Sequence, residues 1–130
     1  MTDLSTPRPY DQWRIKPIDR AEDAAYVFGR DLMGYCRAEA LKSADPTKLP
    51  NSAEEFREQI EAAVDVALHN VVDLLEGFFP MDAGPNHNVS YALSVCVADA
   101  KGTERERIDI SPSLVDLPIG YWKWKDGEFR

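Results

Sequence analysis

The hydrophobic pattern changes its period once along the chain, and this change constrains the fold more than any other feature. Between Ser52 and Gly77 apolar residues recur at helical spacing, whereas from Val89 to Ala98 large and small side chains alternate. A period of 3.6 residues indicates an amphipathic helix, and a period of two indicates a half-buried strand. A loop with two prolines, residues 78–88, separates the two patterns. The chain is therefore predicted to be an α+β protein.

Local signals at their ends predict two helices. The first begins at Asp19 and runs to about Leu41, with an apolar stripe at helical spacing. The second begins after Ser52, which forms an S-x-x-E capping box with Glu55. It ends at Gly77, because glycine is the residue that most readily follows the last helical turn. Its apolar side is predicted to face the first helix and a sheet.

Strands are predicted in the second half of the chain. Val89–Ala98 and Thr103–Ile110 form a hairpin across a D-A-K-G turn. A third strand begins at Ile119, with Trp122 and Trp124 on its core-facing side. The predicted fold therefore has two N-terminal helices packed on one face of a small antiparallel sheet of about three to four strands.

The length and composition fit one domain behind a short arm. Residues 1–18 carry three prolines and are predicted to be the arm, and residues 19–130 the single α+β domain. No apolar run reaches the ~18 residues that a membrane helix needs, and the N-terminus has no apolar signal region. The two cysteines fit reduced thiols better than a disulfide framework. We therefore expect a soluble cytoplasmic protein that does not bind membranes.

The negative charge lies in the middle of the chain. The net charge is −8, and residues 51–100 hold nine acidic residues against one basic residue, Arg57. This concentration disfavours a nucleic-acid backbone as a partner. Most of these acids, with one histidine among them, share the side of the second helix opposite its apolar stripe. A solvated face is the simplest interpretation, and contact with a basic partner is the alternative, through Glu58, Glu61, Asp65, His69 and Asp73.

A basic surface is predicted on the outer face of the sheet. In the expected register Cys96 lies opposite Arg105, and the third strand adds lysines to the same side. This face fits an anionic group, a second subunit or another protein. Opposite charges on two surfaces also favour a homodimer. The predicted contact residues on this face are Arg105, Arg107, Tyr121 and Lys123.

The sequence carries no recognisable catalytic motif. There is no G-x-S-x-G, glycine-rich phosphate loop, H-E-x-x-H or C-x-x-C. We therefore predict a non-catalytic protein-interaction domain without metal or cofactor. An antitoxin or immunity type of inhibitor, which binds a basic partner, is one role within this class. The alternative is a small-ligand or metal-binding enzyme with its site near the 78–88 loop, where Asp82 and His87 lie and to which His69 could contribute.

Overall fold

The computed structural model describes residues 4–77, 81–112 and 114–130. These residues belong to two compact units. Unit 1 comprises Met1–Val71 with Met81–Val89, and unit 2 comprises Val72–Pro80 with Ser90–Arg130. The described residues form helices and two antiparallel strand pairs, so the predicted α+β class is confirmed.

The first helix of unit 1 is longer than predicted and contains a π-helical turn. It consists of α1, Pro17–Asp31, a π-helical segment, Leu32–Arg37, and α2, Ala38–Lys42. Lys16 is the N-cap, so the helix begins two residues before Asp19. Proline is tolerated at the first helical position because the N–H it lacks would have no partner there.

The second helix, α3, spans Ala53–Glu76 and confirms both of its predicted ends. The hydroxyl of Ser52 accepts a hydrogen bond from the backbone N–H of Glu55 at 3.1 Å, as the capping box requires. Gly77 follows with φ +77°, a left-handed conformation that glycine adopts without a steric penalty. Helix ends are local features, and here the local sequence was sufficient to place them.

The other elements of unit 1 are the N-terminal segment before α1 and a small hairpin. The segment before α1 contains one 3-10 turn, Tyr10–Gln12. The hairpin consists of β1, Met81–Asp82, and β2, Asn88–Val89, paired antiparallel. The N–H of Tyr10 donates to the carbonyl of Ala83 at 2.6 Å, so the backbone of the N-terminal segment is bonded to the hairpin.

Unit 2 contains the longer hairpin. Its strands are β3, Leu93–Ala98, and β4, Glu104–Ser111, and they pair antiparallel. Val95 lies opposite Ile108 on the side predicted to face the core. Both side chains remain more than 40% exposed.

The register of this hairpin differs from the prediction by two residues. Cys96 lies opposite Arg107 and not opposite Arg105. The turn takes up more of the chain than expected, because the N–H of Asp99 donates to the carbonyl of Thr103 at 2.9 Å and register shifts interrupt the ladder. Between Ser94 and Val97 the shift of two residues leaves the paired side chains on their predicted faces, since side chains alternate with a period of two. At the two ends the register shifts change the faces, because Ala98 lies opposite Glu104 and Leu93 lies opposite Ser111.

The predicted third strand is wrong, because this segment forms helix α4, Leu117–Lys125. The Asp116 side chain accepts a hydrogen bond from the N–H of Ile119 at 3.0 Å and caps the helix start. At the other end, Gly127 adopts φ +80° and donates its N–H to the carbonyl of Trp124 at 2.9 Å. Glu128 adds the second bond of a Schellman motif. Caps at both ends therefore override the strand-like alternation.

The core-facing role predicted for the tryptophans is also wrong. Trp122 and Trp124 lie on α4 and are both exposed, while Leu117, Pro118 and Gly120 form the buried side of this helix. The described apolar residues that are buried are few and mostly small: Val27, Cys36, Ala40, Leu74, Ala83 and Leu117.

Candidate interaction surface

An open apolar groove in unit 1 lies between the first helix and α3. Its volume is about 330 Å³, and its walls come from residues 32–44 on one side and residues 63–71 on the other. Apolar side chains line it almost throughout, and Arg37 is the one charged member of the lining. The full lining comprises Leu32, Cys36, Arg37, Ala40, Leu41, Ala44, Ala63, Val64, Ala67, Leu68 and Val71.

Small side chains and the π-helical segment create this groove. Ala40 and Ala44 face the α3 alanines, so there is too little side-chain volume to close the gap. The side-chain amide of Asn70 donates to the carbonyl of Tyr35 at 3.4 Å and thereby links α3 to the π-helical segment. Single π-helical turns occur frequently at functional sites. The hydrogen bond between α3 and the π-helical segment therefore supports the structure of the groove within unit 1.

A row of large apolar side chains on α3 extends the groove outward. Phe56, Ile60, Val64 and Leu68 recur every four residues, and each is between 48% and 55% exposed. Residues at this spacing form one of the ridges by which helices pack against other helices. We call these four residues the α3 ridge. Leu41 is similarly exposed on the opposite wall.

The predicted acidic contact residues differ along α3 in their exposure and in their interactions with the rest of the chain. Glu58 and Glu61 are exposed, and within the described part of the chain their carboxylates form no ion pair or side-chain hydrogen bond. Asp65, His69 and Asp73 are half-buried, and each interacts with another group of the chain. The opening turns of α3 are therefore the part of the predicted acidic face that remains accessible.

Glu76 closes the acidic series with a structural role in unit 2. Its side chain is buried, and it accepts a hydrogen bond from the backbone N–H of Leu117 at 3.3 Å. This carboxylate lies at the N-terminus of α4, where the positive end of the helix dipole stabilises its negative charge.

The residues of the predicted basic sheet face do not all lie on a sheet. Arg105 pairs with Asp99 at 3.0 Å, and Arg107 pairs with Glu104 at 3.1 Å. Tyr121 and Lys123 lie on α4, because the segment that carries them is helical. The two arginines and the two α4 residues therefore belong to different elements of unit 2.

Two residues of the alternative site are engaged in unit 1. The Asp82 carboxylate lies 3.1 Å from a guanidinium nitrogen of Arg30 and 3.3 Å from the N–H of Gly84. The hydrogen bond from the Gly84 N–H lowers the pKa of Asp82 most, and the positive charge of Arg30 lowers it further. His87 Nδ1 lies 3.3 Å from an Asp11 carboxylate oxygen.

The residues that could hold a metal ion are not grouped in the part of the chain that the structure describes. No cluster of three or more His, Cys, Asp or Glu side chains with suitable geometry occurs there. Residues 78–80 of the predicted loop lie outside that part. The enzyme or ligand-binding alternative near the 78–88 loop stays a prediction.

The sequence did not reveal a buried carboxylate that attaches the N-terminal segment to α1. Asp23 is 1% exposed and accepts hydrogen bonds from the Arg14 backbone N–H at 2.7 Å, the Arg14 guanidinium at 2.9 Å and Arg8 at 3.0 Å. The hydrogen bonds from Arg14 hold the pKa of Asp23 at about 2. The apolar pattern gave no signal for it, because at 100° per residue Asp23 lies on the side of the helix opposite the predicted apolar stripe.

Aromatic side chains reinforce this attachment. The ring of Tyr10 lies 5.1 Å from that of Trp13 and 4.6 Å from that of His87. The Arg20 guanidinium lies 5.2 Å from the centre of the Tyr10 ring, within the range of a cation–π interaction. These contacts connect the N-terminal segment, α1 and the β1–β2 hairpin, and they give the four side chains a structural role.

No protein-family model matches the chain, and no curated protein sequence or solved structure does either. No helix among the described residues is both long enough and apolar enough to span a membrane.

Proposed function

We propose that this chain is a non-catalytic protein-interaction domain that binds an amphipathic, basic helix of a partner in the groove and along the α3 ridge. The proposal rests on one observation: an apolar groove of about 330 Å³ is continuous with an exposed apolar ridge. Contiguous apolar surface of this kind usually marks an interaction site. Recognition would follow the helix-in-groove mode, with partner side chains at helical spacing entering the groove.

The charge beside the ridge favours a basic partner. Glu54, Glu58 and Glu61 are exposed on the first turns of α3, and Arg57 is the basic residue among them. Acidic residues around an apolar surface attract lysine and arginine, speed association with a basic partner and disfavour an acidic one. Inhibition of a basic partner, as by an antitoxin or immunity protein, is the class of role that this combination supports.

The two cysteines support a cytoplasmic setting for this role. Cys36 is buried and Cys96 is exposed, and both are free thiols. Free thiols persist where the environment is reducing. A partner in the same compartment is part of the proposal.

A pair of matched synthetic peptides tests the proposal. One is a fluorescently labelled amphipathic helix of leucine and lysine, and the other has glutamate in place of every lysine. We expect the full-length chain to bind the basic peptide at least tenfold more tightly, with weaker binding at higher salt. Fluorescence anisotropy measures both affinities. Equal binding of the two peptides would contradict the proposed charge selection.

Two variants locate the binding surface. Ile60→Gln removes an apolar side chain of the α3 ridge and keeps good helix propensity. Leu49→Gln is the matched control, because Leu49 is 77% exposed in the same unit and does not line the groove. We expect the ridge variant to bind the basic peptide at least tenfold more weakly and the control to bind it like the wild type. Equal loss in both variants would show binding without a defined site.

A further inference from the structure

The chain itself contains a helix with the chemistry that the groove requires. On α4, Ile119 is 61% exposed and Trp122 is 48% exposed, and Lys123 is exposed beside them. Positions separated by three or four residues lie on the same side of a helix. The outer face of α4 is therefore an apolar pair flanked by a positive charge.

The outer face of α4 is also held in a fixed shape. Asp116 caps one end, and the Gly127 turn closes the other. The Lys125 ammonium lies 5.3 Å from the centre of a Trp122 ring, so a positive charge accompanies the indole. Groups that are already ordered lose little freedom on binding, which favours this helix over a flexible segment.

We infer that the groove and α3 ridge of one copy bind α4 of a second copy of this chain. This inference rests on the proposed function and names its partner. Leu117–Lys125 contains two lysines and no acidic residue, whereas the opening turns of α3 carry four glutamates against one arginine. A contact of α3 with α3 would instead bring Glu58 and Glu61 of both copies together, which like charges disfavour.

The dimensions of the two surfaces agree. A cavity of about 150 Å³ suffices for a benzene ring, so a groove of about 330 Å³ has room for an indole and an aliphatic side chain. At 1.5 Å per residue, α4 is about 14 Å long and the ridge from Phe56 to Leu68 is about 18 Å long. Trp122 and Ile119 would enter the groove, and Lys123 would lie toward the glutamates.

This contact joins two different surfaces of the chain. Two copies can exchange α4 reciprocally in a closed pair, or each copy can bind the next in a chain of subunits. Both arrangements predict that two different variants can compensate for each other. A contact between identical surfaces offers no such compensation.

A mixing experiment uses this difference. Full-length Ile60→Gln has a damaged groove and an intact α4, and full-length Trp122→Gln has the reverse. We expect wild-type chain to self-associate in sedimentation velocity at tens of micromolar. Each variant alone should associate at least tenfold more weakly, and the equimolar mixture should regain heterodimers through its one intact contact. Leu49→Gln should associate like the wild type.

Lys123→Glu provides a second variant in case Trp122→Gln does not fold. Lys123 is exposed, so its replacement should leave the circular dichroism spectrum unchanged while weakening association. Adding Glu58→Lys and Glu61→Lys to the same chain should restore association, because each contact again joins opposite charges.

Three results would overturn the inference: a monomeric wild type, an assembly that survives both Trp122→Gln and Lys123→Glu, or no recovery in the mixture. The peptide titration reports on the proposed function separately. A monomer that still binds the basic peptide through Ile60 would leave that function standing and remove α4 as the occupant. Peptide binding that does not depend on Ile60 would remove the function itself.

Discussion

Unit 1 carries carboxylates in two different situations. Asp23 on α1 is buried and bound by two arginines, whereas Glu58 and Glu61 on α3 are exposed and have no ionic partner among the described residues. The apolar side chains differ in the same way, since Val27 beside Asp23 is fully buried and Ile60 is half exposed. Around Asp23 both charge and apolar surface are satisfied within the chain. Around Ile60 neither is, which is why we place the partner there.

The first prediction concerns the paired carboxylate. Asp23→Ala removes the acceptor that the Arg8 guanidinium, the Arg14 guanidinium and the Arg14 N–H share, and leaves Arg14 only its contacts with Asp19 and Glu22, so the attachment of the N-terminal segment to α1 should weaken. We expect a fall of several degrees in the melting temperature, the largest effect among these variants, measured by circular dichroism. Glu61→Ala is the matched control and should change the melting temperature little. Similar falls in both variants would mean that the buried Asp23 and the exposed Glu61 contribute equally to the stability of the fold.

The second prediction uses the low pKa of Asp23. Its value of about 2 lies below the ordinary 3.8, so the ionised form stabilises the fold fully above 3.8. This stabilisation is lost as the pH falls from 3.8 to about 2. We therefore expect the urea midpoints of wild type and Asp23→Asn to differ by a constant amount between neutral pH and about pH 5, and to converge at lower pH. A gap that stays constant to pH 3 would contradict the assignment.

The third and smallest prediction concerns the unpaired carboxylates. Glu58→Gln combined with Glu61→Gln removes three like-charge pairs at i,i+3 or i,i+4, namely Glu54 with Glu58, Glu58 with Glu61 and Glu61 with Asp65, and loses the favourable spacing of Glu61 to Arg57. The net effect should be a rise in the free energy of unfolding of about 0.2–0.5 kcal/mol. The gain should shrink at high salt, because salt screens the repulsion. Arg57→Gln is the opposite control and should lower stability slightly. A loss of stability in the glutamate variant would indicate that these acids already have partners.

The sequence predicted features that depend on neighbouring residues. Ser52, Glu55 and Gly77 were enough to place α3, because caps act within one helical turn. The α+β class followed from the change of period, which is also local. In the middle of the hairpin, from Ser94 to Val97, the faces were right and the register was not. The hydrogen bond of Asp99 to Thr103 and the register shifts at both ends are properties of the folded hairpin and not of neighbouring residues.

The sequence failed where two local signals competed or where the answer depended on packing. The segment around Trp122 alternates like a strand, yet Asp116 and Gly127 cap it as a helix. An apolar stripe shows that a helix face is hydrophobic, but it does not show whether the rest of the chain covers that face. The α3 ridge was therefore predicted as core, and the groove was not predicted at all. Asp23 was missed because its arginines lie nine and fifteen residues away.

The π-helical turn has a consequence for the straightness of the groove wall. Leu32, Cys36 and Ala40 line the groove from the first helix and recur every four residues. In a regular α-helix such a row winds around the axis by about 40° at each step, or about 80° from Leu32 to Ala40. The wider π-helical turn within Leu32–Arg37 offsets part of this winding, and all three side chains line the groove. The wall is therefore set by a count of residues: a deletion of one residue there would twist it while every lining side chain was retained.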